Sequence, residues 1–179
     1  MHICSFTVTW EKRKLADLGK VYTGNTPSTS DSNNWSNDSN DHVWITPSDI
    51  DELTKNNSER HLSDQGWNKA RKVPRNSVMI TSIASIGKNT INTVAAAFNQ
   101  QINAIVPDSN NAYFILTSMN YNTPRFASLA GHTATAIINK TTFEKFQLIV
   151  PSLNEQIEIG NFFHNLDNLI TVNQDQPLT

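Results

Sequence analysis

Seven short motifs hold most of the side chains in this sequence that could take part in chemistry. Their polar groups are mainly amides and hydroxyls, joined by a few charged residues. Such groups both donate and accept hydrogen bonds, so they suit the recognition of a polar ligand. In chain order, the motifs occupy residues 10–15, 24–28, 44–50, 85–88, 98–102, 131–133 and 149–156.

Signatures of catalysis and of metal binding are missing from the sequence. The histidines form no closely spaced pair and Cys4 is the only cysteine, so a zinc cluster is not expected. The sequence has no Gly-rich phosphate loop, no Gly-x-Ser-x-Gly elbow and no Asn-Pro-Pro or Asp-Pro-Pro motif. The acids Asp49, Asp51 and Glu52 lack a strand-borne lysine, and we predict that they form a solvated turn. We therefore expect a chain that is not an enzyme and binds no metal or cofactor.

Composition places the chain among folded domains. It has 179 residues, of which 37% are hydrophobic and 17% charged, with a net charge of −2. This length suits one domain with one core. No apolar run is long enough to span a membrane, and the start has no basic region followed by a long apolar stretch. The single cysteine fits a reducing cytoplasm, which is the predicted location.

Charge is distributed unevenly along the chain. No acid lies between Asp64 and Asp108, whereas residues 15–64 hold nine acids and three bases. This pattern has two interpretations. It could arise by chance on a solvated face, or it could mark a surface that faces an anion. The basic residues of the acid-free window are Lys69, Arg71, Lys72, Arg75 and Lys88.

Hydrophobic periodicity predicts alternating strands and helices. In residues 98–106, Phe98, Ile102, Ala104 and Val106 share one face, which Gln100 interrupts. The other face holds Asn99, Gln101 and Asn103, as in a half-exposed strand. Residues 23–42 and 54–72 are predicted as loops, the second with a short helical turn. We predict strands at residues 43–45, 78–80, 91–97, 98–106 and 143–150. We predict helices at residues 112–120, from Pro124 to Gly131, and at 153–173.

The loops between these elements carry the candidate binding residues. Uncharged amides and hydroxyls suit base edges, and lysine suits guanine or phosphate. The turn at 82–88 is the best candidate for contact with a nucleic-acid backbone, because small residues there allow close approach. A plain turn, a mobile loop or a helix cap would explain each motif as well. The candidate DNA contacts are Asn25, Thr26, Ser28, Ser48, Ser82, Ser85, Lys88, Gln100, Gln101 and Thr133.

The last predicted helix has a clear start and an apolar stripe. Ser152 and Glu155 fit a capping box, and apolar residues then recur at three- and four-residue steps. The stripe could pack on the domain's own core, or it could begin a coiled coil with a partner. The candidate partner contacts are Ile159, Phe162, Phe163, Leu166, Leu169 and Ile170.

The order of these motifs resembles one half of the DNA specificity subunit of type I restriction-modification systems. The resemblance covers about residues 10–172. Its most specific parts are Ser-Ile-Gly-Lys at 85–88, Phe-Asn-Gln-Gln at 98–101, and the stretch from Gly131 through Pro151 to Gln156.

The resemblance implies a fold and an organisation. The fold is α+β, with a curled, β-helix-like mixed sheet and flanking helices in a target recognition domain at residues 1–151. Residues 152–174 begin a long spacer helix, which is cut short here. In this family, each of two recognition halves reads one part of a split double-stranded DNA target.

The resemblance also implies partners. Separate modification subunits methylate DNA with S-adenosylmethionine, and a restriction subunit uses ATP and Mg²⁺, so no cofactor is expected on this chain. A second recognition half, or a homodimer, would meet the chain at its last helix. Two alternatives stay open: a protein-interaction module with no DNA role, and the recognition tail of a single-chain restriction-methylation enzyme.

Overall fold

Twelve β-strands and four α-helices build the part of the chain that this computed structural model describes, residues 9–131 and 136–174, with side chains to 170. The strands are β1 Glu11–Lys14, β2 Gly19–Thr23, β3 Trp35–Ser36, β4 His42–Ile45, β5 Thr54–Lys55, β6 His61–Leu62, β7 Lys72–Val73, β8 Val78–Thr81, β9 Asn89–Asn92, β10 Ala96–Phe98, β11 Ile102–Pro107 and β12 Gln147–Val150. The helices are α1 Asp64–Lys69, α2 Ala112–Ala127, α3 Lys140–Lys145 and α4 Leu153–Gln174. Short 3-10 turns lie at Leu15–Asp17, Ser32–Asn34 and Pro47–Asp49.

The strands form two mixed five-stranded sheets and one two-stranded ladder. The first sheet has the order β3-β6-β4-β10-β7, and β4 and β10 are parallel. The second has the order β2-β11-β8-β9-β5, and β5 and β9 are parallel. Strands β1 and β12 pair antiparallel beside them. The predicted α+β class, with mixed sheets and flanking helices, is confirmed, and no closed barrel occurs among the described strands.

The second sheet lies between the first sheet and the helices because its central strands are apolar on both faces. In β8, Val78 and Ile80 face the cluster that contains Phe114 of α2. Met79 faces the opposite way and packs in a cluster with Phe98 of β10. Successive side chains in a strand point to opposite faces, so three consecutive apolar residues bind two layers at once.

The predicted strand at 98–106 is two strands joined by a turn. Phe98 and Ile102 do share one apolar cluster, as predicted, but they belong to β10 in the first sheet and β11 in the second. Asn103 is 3% exposed, so the polar face of β11 does not face solvent as predicted. Its amide is satisfied internally: it accepts from Thr23 Oγ1 and donates to Ser82 Oγ at 2.8 Å.

The predicted limits of two helices and of the closing strand were wrong. Helix α2 continues through Pro124 and ends at Ala127, before Gly131. Pro124 has no N–H to donate to the carbonyl of Asn120. Because Asn120 is exposed, this carbonyl can accept a hydrogen bond from water instead. Phe143 lies in α3 and not in the closing strand, because Asn139 caps that helix by accepting from Thr142 N at 2.9 Å.

Helix α4 starts at Leu153, as predicted, and docks on the domain through a polar face. A Cβ at residue 160 would lie 2.3 Å from Asn111 Oδ1, so only glycine allows this close approach. Gln156 donates to Asn110 Oδ1 at 3.2 Å, and Tyr113 donates to Asp167 at 2.6 Å. Half of the predicted capping box forms, with Glu155 N donating to Ser152 Oγ at 3.5 Å.

The Glu155 side chain does not complete the capping box. Its Oε1 accepts a hydrogen bond from the indole of Trp10 at 3.2 Å. It therefore ties the segment before β1 to the start of α4. None of the described helices is long and apolar enough to cross a bilayer.

Tyr113 fixes the second half of α4. Its ring packs edge-on against His164, with the centroids 4.9 Å apart. Burial, together with the hydrogen bond to Asp167, raises the pKa of the Tyr113 hydroxyl above its ordinary value. A tyrosine hydroxyl keeps its proton at neutral pH even at its ordinary pKa, so the raised pKa reflects how strongly this site favours the hydrogen bond from Tyr113 to Asp167.

We predict that Tyr113→Phe lowers the free energy of unfolding by about 1 kcal/mol, because one hydrogen bond is lost from a half-buried site. Hydrogen exchange of the α4 amides should also become faster, since α4 loses a docking contact. Tyr121→Phe is the matched control, because Tyr121 lies on the same helix and is 87% exposed. Equal effects of the two substitutions on stability and exchange would contradict this account.

Candidate nucleic-acid interface

Four loops meet at one end of the two sheets. Strands β2 and β8 both pair antiparallel with β11, so they run in the same direction, as do β4 and β10. The segments that follow these strands are 24–28, 46–49, 82–88 and 99–101. Backbone hydrogen bonds connect them: Asn25 N donates to Phe98 O at 3.0 Å, and Ser82 N to Gln101 O at 2.8 Å.

A groove of about 470 Å³ lies among these loops. We call it the loop groove. It brings together three of the predicted contacts, Ser48, Ser85 and Gln101. Ser48 and Ser85 are exposed, and the Gln101 side chain makes no hydrogen bond with the described residues. Further polar side chains in the groove come from Thr46, Glu59, Arg60 and Asn99.

Asp49 holds one wall of the loop groove in place. It is 8% exposed, so the prediction that it lies in a solvated turn was wrong. One carboxylate oxygen accepts from Thr46 N at 2.7 Å and from Thr46 Oγ1, and the other accepts from Glu59 N at 2.8 Å. The carboxylate thereby closes the turn that presents Ser48 and fixes the chain beside it. Asp51 and Glu52 are exposed, as predicted.

The 24–28 loop packs tightly beside the loop groove. A Cβ on Gly24 would lie 2.3 Å from the carbonyl oxygens of Phe98 and Asn99, so this approach requires glycine. Thr26 Oγ1 donates to Gln100 Oε1 and accepts from Asn99 Nδ2 at 3.2 Å. Two of the predicted contacts, Thr26 and Gln100, are therefore joined to each other next to the groove.

Two predicted contacts use their side chains inside the protein. The amide of Asn25 donates to Lys69 O at 3.0 Å and accepts from Arg71 N, so it ties its loop to the end of α1. Ser82 is 2% exposed and accepts from Asn103. In this conformation the Ser82 side chain is buried, and the half-buried amide of Asn25 already donates and accepts within the protein. Both position the loops, a role that their sequence context does not reveal.

Two further predicted contacts, Ser28 and Lys88, lie outside the loop groove. Ser28 is exposed and bonds Ser30, with the two hydroxyl oxygens 2.9 Å apart. Thr133 is outside the described residues. Lys88 is exposed but lines a second groove, of about 990 Å³, which also includes Asp51 and Asp167.

The second groove does not form a simple anion site. Asp51 accepts a hydrogen bond from Lys55 at 2.9 Å, which holds the pKa of the Asp51 carboxyl below its usual value. The same bond raises the pKa of Lys55. The acid-free sequence window is likewise not acid-free in space, because Lys69 lies 3.3 Å from Asp31.

Arg60 is a residue of the loop groove that the sequence prediction did not include. It was counted only as one of three bases in an acidic segment. Its guanidinium lies 3.7 Å from the ring centroid of Trp35, on the rim of the loop groove. The signal in the sequence was a Trp-rich polar segment, but the contact itself depends on the pairing of β3 with β6.

A second surface runs along α4. The predicted partner contacts are exposed on it, from 38% for Phe163 to 64% for Phe162, except Ile159, which is partly buried against the core. At 100° per residue the stripe lies about a third of a turn from the docked polar face. The interpretation of this helix as packed on its own core by the apolar stripe is therefore wrong beyond Ile159. Among the described residues, no group of His, Cys, Asp and Glu could hold a metal ion.

Comparison of the sequence with known proteins gives one family. Residues 7–178 match the family model of the type I restriction modification DNA specificity domain. The chain is 30% identical over 174 residues to the EcoR124I/EcoR124II specificity subunit of Escherichia coli, a match that covers 90% of this chain and 42% of that protein. It is 29% identical over 150 residues to the HindI specificity subunit of Haemophilus influenzae, covering 80% and 32%. The chain thus spans less than half the length of these relatives.

Comparison of the structure gives the same fold. The HsdS subunit from Thermoanaerobacter tengcongensis superimposes with a TM-score of 0.68 at 15% identity, covering 96% of this chain and 41% of that one. A chain from a study of complex assembly and conformational transition in the type I restriction-modification system gives 0.73 at 16% identity, covering 96% and 42%. At these identities the likeness concerns the fold alone.

We predict that Asp49→Ala lowers the free energy of unfolding by about 2 kcal/mol, because it removes the acceptor of buried donors. Urea denaturation with a fluorescence readout measures the change. Asp51→Ala is the control, since Asp51 is exposed and bonds only at the surface. Similar denaturation midpoints for the two variants would show that the hydrogen bonds to the Asp49 carboxylate contribute little to stability.

Proposed function

This chain belongs to the family of type I restriction modification DNA specificity domains, and from that premise we propose that it reads one half of a bipartite double-stranded DNA target. The loop groove carries the proposal. It places hydroxyls, amides and one guanidinium from separate strands on one rim, and these are the groups that bind base edges in the major groove. In this proposal the chain recognises DNA but does not catalyse a reaction on it.

We propose that the reactions are carried out by other subunits. Modification subunits with S-adenosylmethionine would methylate the target, and a restriction subunit with ATP and Mg²⁺ would cleave it. Location in the cytoplasm, with cellular DNA, accompanies this role. The exposed stripe of α4 is the proposed assembly surface, because five large apolar side chains there are 38% to 64% exposed in the described chain. A second recognition half or a second copy of this chain would lie along it.

The net charge of −2 and the mixed charges near the loops argue for weak binding by this half alone. Neighbouring subunits would supply much of the phosphate contact. A protein-interaction module is the rival function, and it predicts no steep loss of DNA binding with salt. DNA recognition predicts a linear fall of log affinity with log salt. Duplex binding by the assembled complex across a salt series separates the two.

We predict that Gln101→Ala weakens binding of the assembled complex to its selected half-site by about tenfold or more, the usual discrimination by one bidentate amide contact. Binding to an unrelated duplex should not change, because that binding is mostly to phosphates. Gln147→Ala serves as the control, since Gln147 is exposed on β12, away from the loop groove. An unchanged half-site affinity for Gln101→Ala would remove Gln101 from the site.

The variant Lys88→Ala is measured in the same binding assay. As a phosphate contact, Lys88→Ala should weaken binding to all duplexes alike and reduce the salt slope by about one. A loss confined to one base position would instead make Lys88 a base contact. No loss on any duplex would remove it from the DNA surface, in agreement with its place in the second groove.

We predict that Phe162→Ser leaves the stability of the isolated chain within about 0.5 kcal/mol, because Phe162 is 64% exposed. The same change should weaken assembly, measured by sedimentation with the modification subunit and with a second recognition half. Asn161→Ser, also exposed on α4 but off the stripe, is the control. Unimpaired assembly of the Phe162 variant would place the partner elsewhere.

A further inference from the structure

Arg60 has an environment unlike that of any other cation in the described chain. Its guanidinium lies over two indoles, 3.7 Å from the ring centroid of Trp35 and 5.3 Å from that of Trp44. The two indoles pack edge to face, with centroids 4.9 Å apart. Stacking on an aromatic face holds the plane of a guanidinium while leaving its in-plane donors open.

The aromatic platform under Arg60 is rigid. The Trp44 indole is 2% exposed and donates to Asn25 O at 3.2 Å. The Trp35 indole donates to Ser28 O, also at 3.2 Å. Both rings are therefore fixed by hydrogen bonds to the 24–28 loop.

The backbone that carries Arg60 is fixed as well. Ser58 Oγ donates to Arg60 O at 2.7 Å, and the neighbouring Glu59 N donates to the buried carboxylate of Asp49. Much of the conformational entropy of the Arg60 side chain is therefore already lost when the chain folds. A ligand that meets this guanidinium meets donors that are already oriented.

The donors of Arg60 are unused. The residue is exposed, and its guanidinium makes no ion pair or hydrogen bond with the described residues. It faces the loop groove, where its neighbours are Ser48, Glu59 and Gln101. A planar fork of N–H donors matches a carboxylate, a phosphate or the O6 and N7 atoms of guanine.

The surroundings decide between these acceptors. Glu59 is exposed in the same groove, and a phosphate or carboxylate beside it would be repelled. A neutral base edge would not be, and the glutamate can itself accept from the amino group of cytosine. The other groove side chains are uncharged groups of the kind that contact bases.

We propose that Arg60 is a specificity-determining residue that donates a bidentate pair of hydrogen bonds to a guanine in the half-site. This inference rests on the proposed DNA-reading function and adds one readable base to it. Arg60 sets the preference at that base pair, and Trp35 and Trp44 position it.

The test is base preference at each position of the half-site, measured by selection from randomised duplexes with the chain assembled with its modification subunits. Arg60→Met keeps the apolar stem on the indoles and removes the donors. We expect one position to lose its guanine preference by about 10- to 100-fold, with the other positions unchanged. Arg71→Met is the control, because Arg71 is exposed near an aromatic ring but outside the loop groove.

Each other outcome overturns the assignment. A uniform loss on all duplexes, with a salt slope lower by about one, would make Arg60 a phosphate contact. An unchanged preference, or a wild-type half-site with no preferred guanine, would also exclude a guanine contact. Thermal unfolding of Arg60→Met checks that the exposed change leaves the fold intact. If the wild-type complex selects no sequence at all, the proposed function itself fails, which is a distinct result.

Discussion

The structure depends on the burial of both faces of β8 and β11. Val78 and Ile80 pack toward the helices, while Met79 packs toward the first sheet. One pair of strands therefore holds three layers together, and the relative position of the two sheets follows from it. Because the sheets are fixed against each other, the loops that leave their strands at one end are fixed as well. The candidate site is a consequence of this packing, since its side chains come from several separate segments of the chain.

The loops themselves are held in place by polar groups that hydrogen-bond within the protein. Asp49 closes the 46–49 turn, Asn25 ties the 24–28 loop to the end of α1, and Asn103 bridges Thr23 and Ser82. Buried amides and carboxylates are costly unless fully bonded, so such networks strongly favour one loop geometry. A rigid rim lowers the entropic cost of binding. Several asparagines of this chain thus hold the loops in place.

Helix α4 reverses the usual arrangement of an amphipathic helix. It docks with glycine, amide and carboxylate groups and leaves its apolar stripe exposed. Gly160 weakens the helix on propensity alone by about 1 kcal/mol. In exchange, the missing side chain of Gly160 allows the close approach to Asn111. This contact lets α4 leave the domain in a defined direction. A helix placed in this way can present its stripe to a partner without disturbing the core.

The sequence alone encodes the local features of this protein. The capped helix at 153–173 and the polar loops around Ser48, Ser85 and Gln101 follow from short-range periodicity and turn chemistry, which neighbouring residues carry together. The sequence pointed to the α+β class only through the resemblance of its motif order to a known family. It did not reveal the break of the strand at 99–101, because the apolar face continues across the break into a second sheet. The motif order placed the chain in its family, but not the side chains within the site.

The tertiary structure alone establishes which of those residues meet. It buried Ser82 and Asp49, moved Lys88 to another groove, and brought Arg60 onto Trp35, 25 positions away in the chain. Each of these outcomes depends on strand register and on the packing of layers from distant segments. Such contacts depend on how the whole chain closes, and no local pattern encodes them.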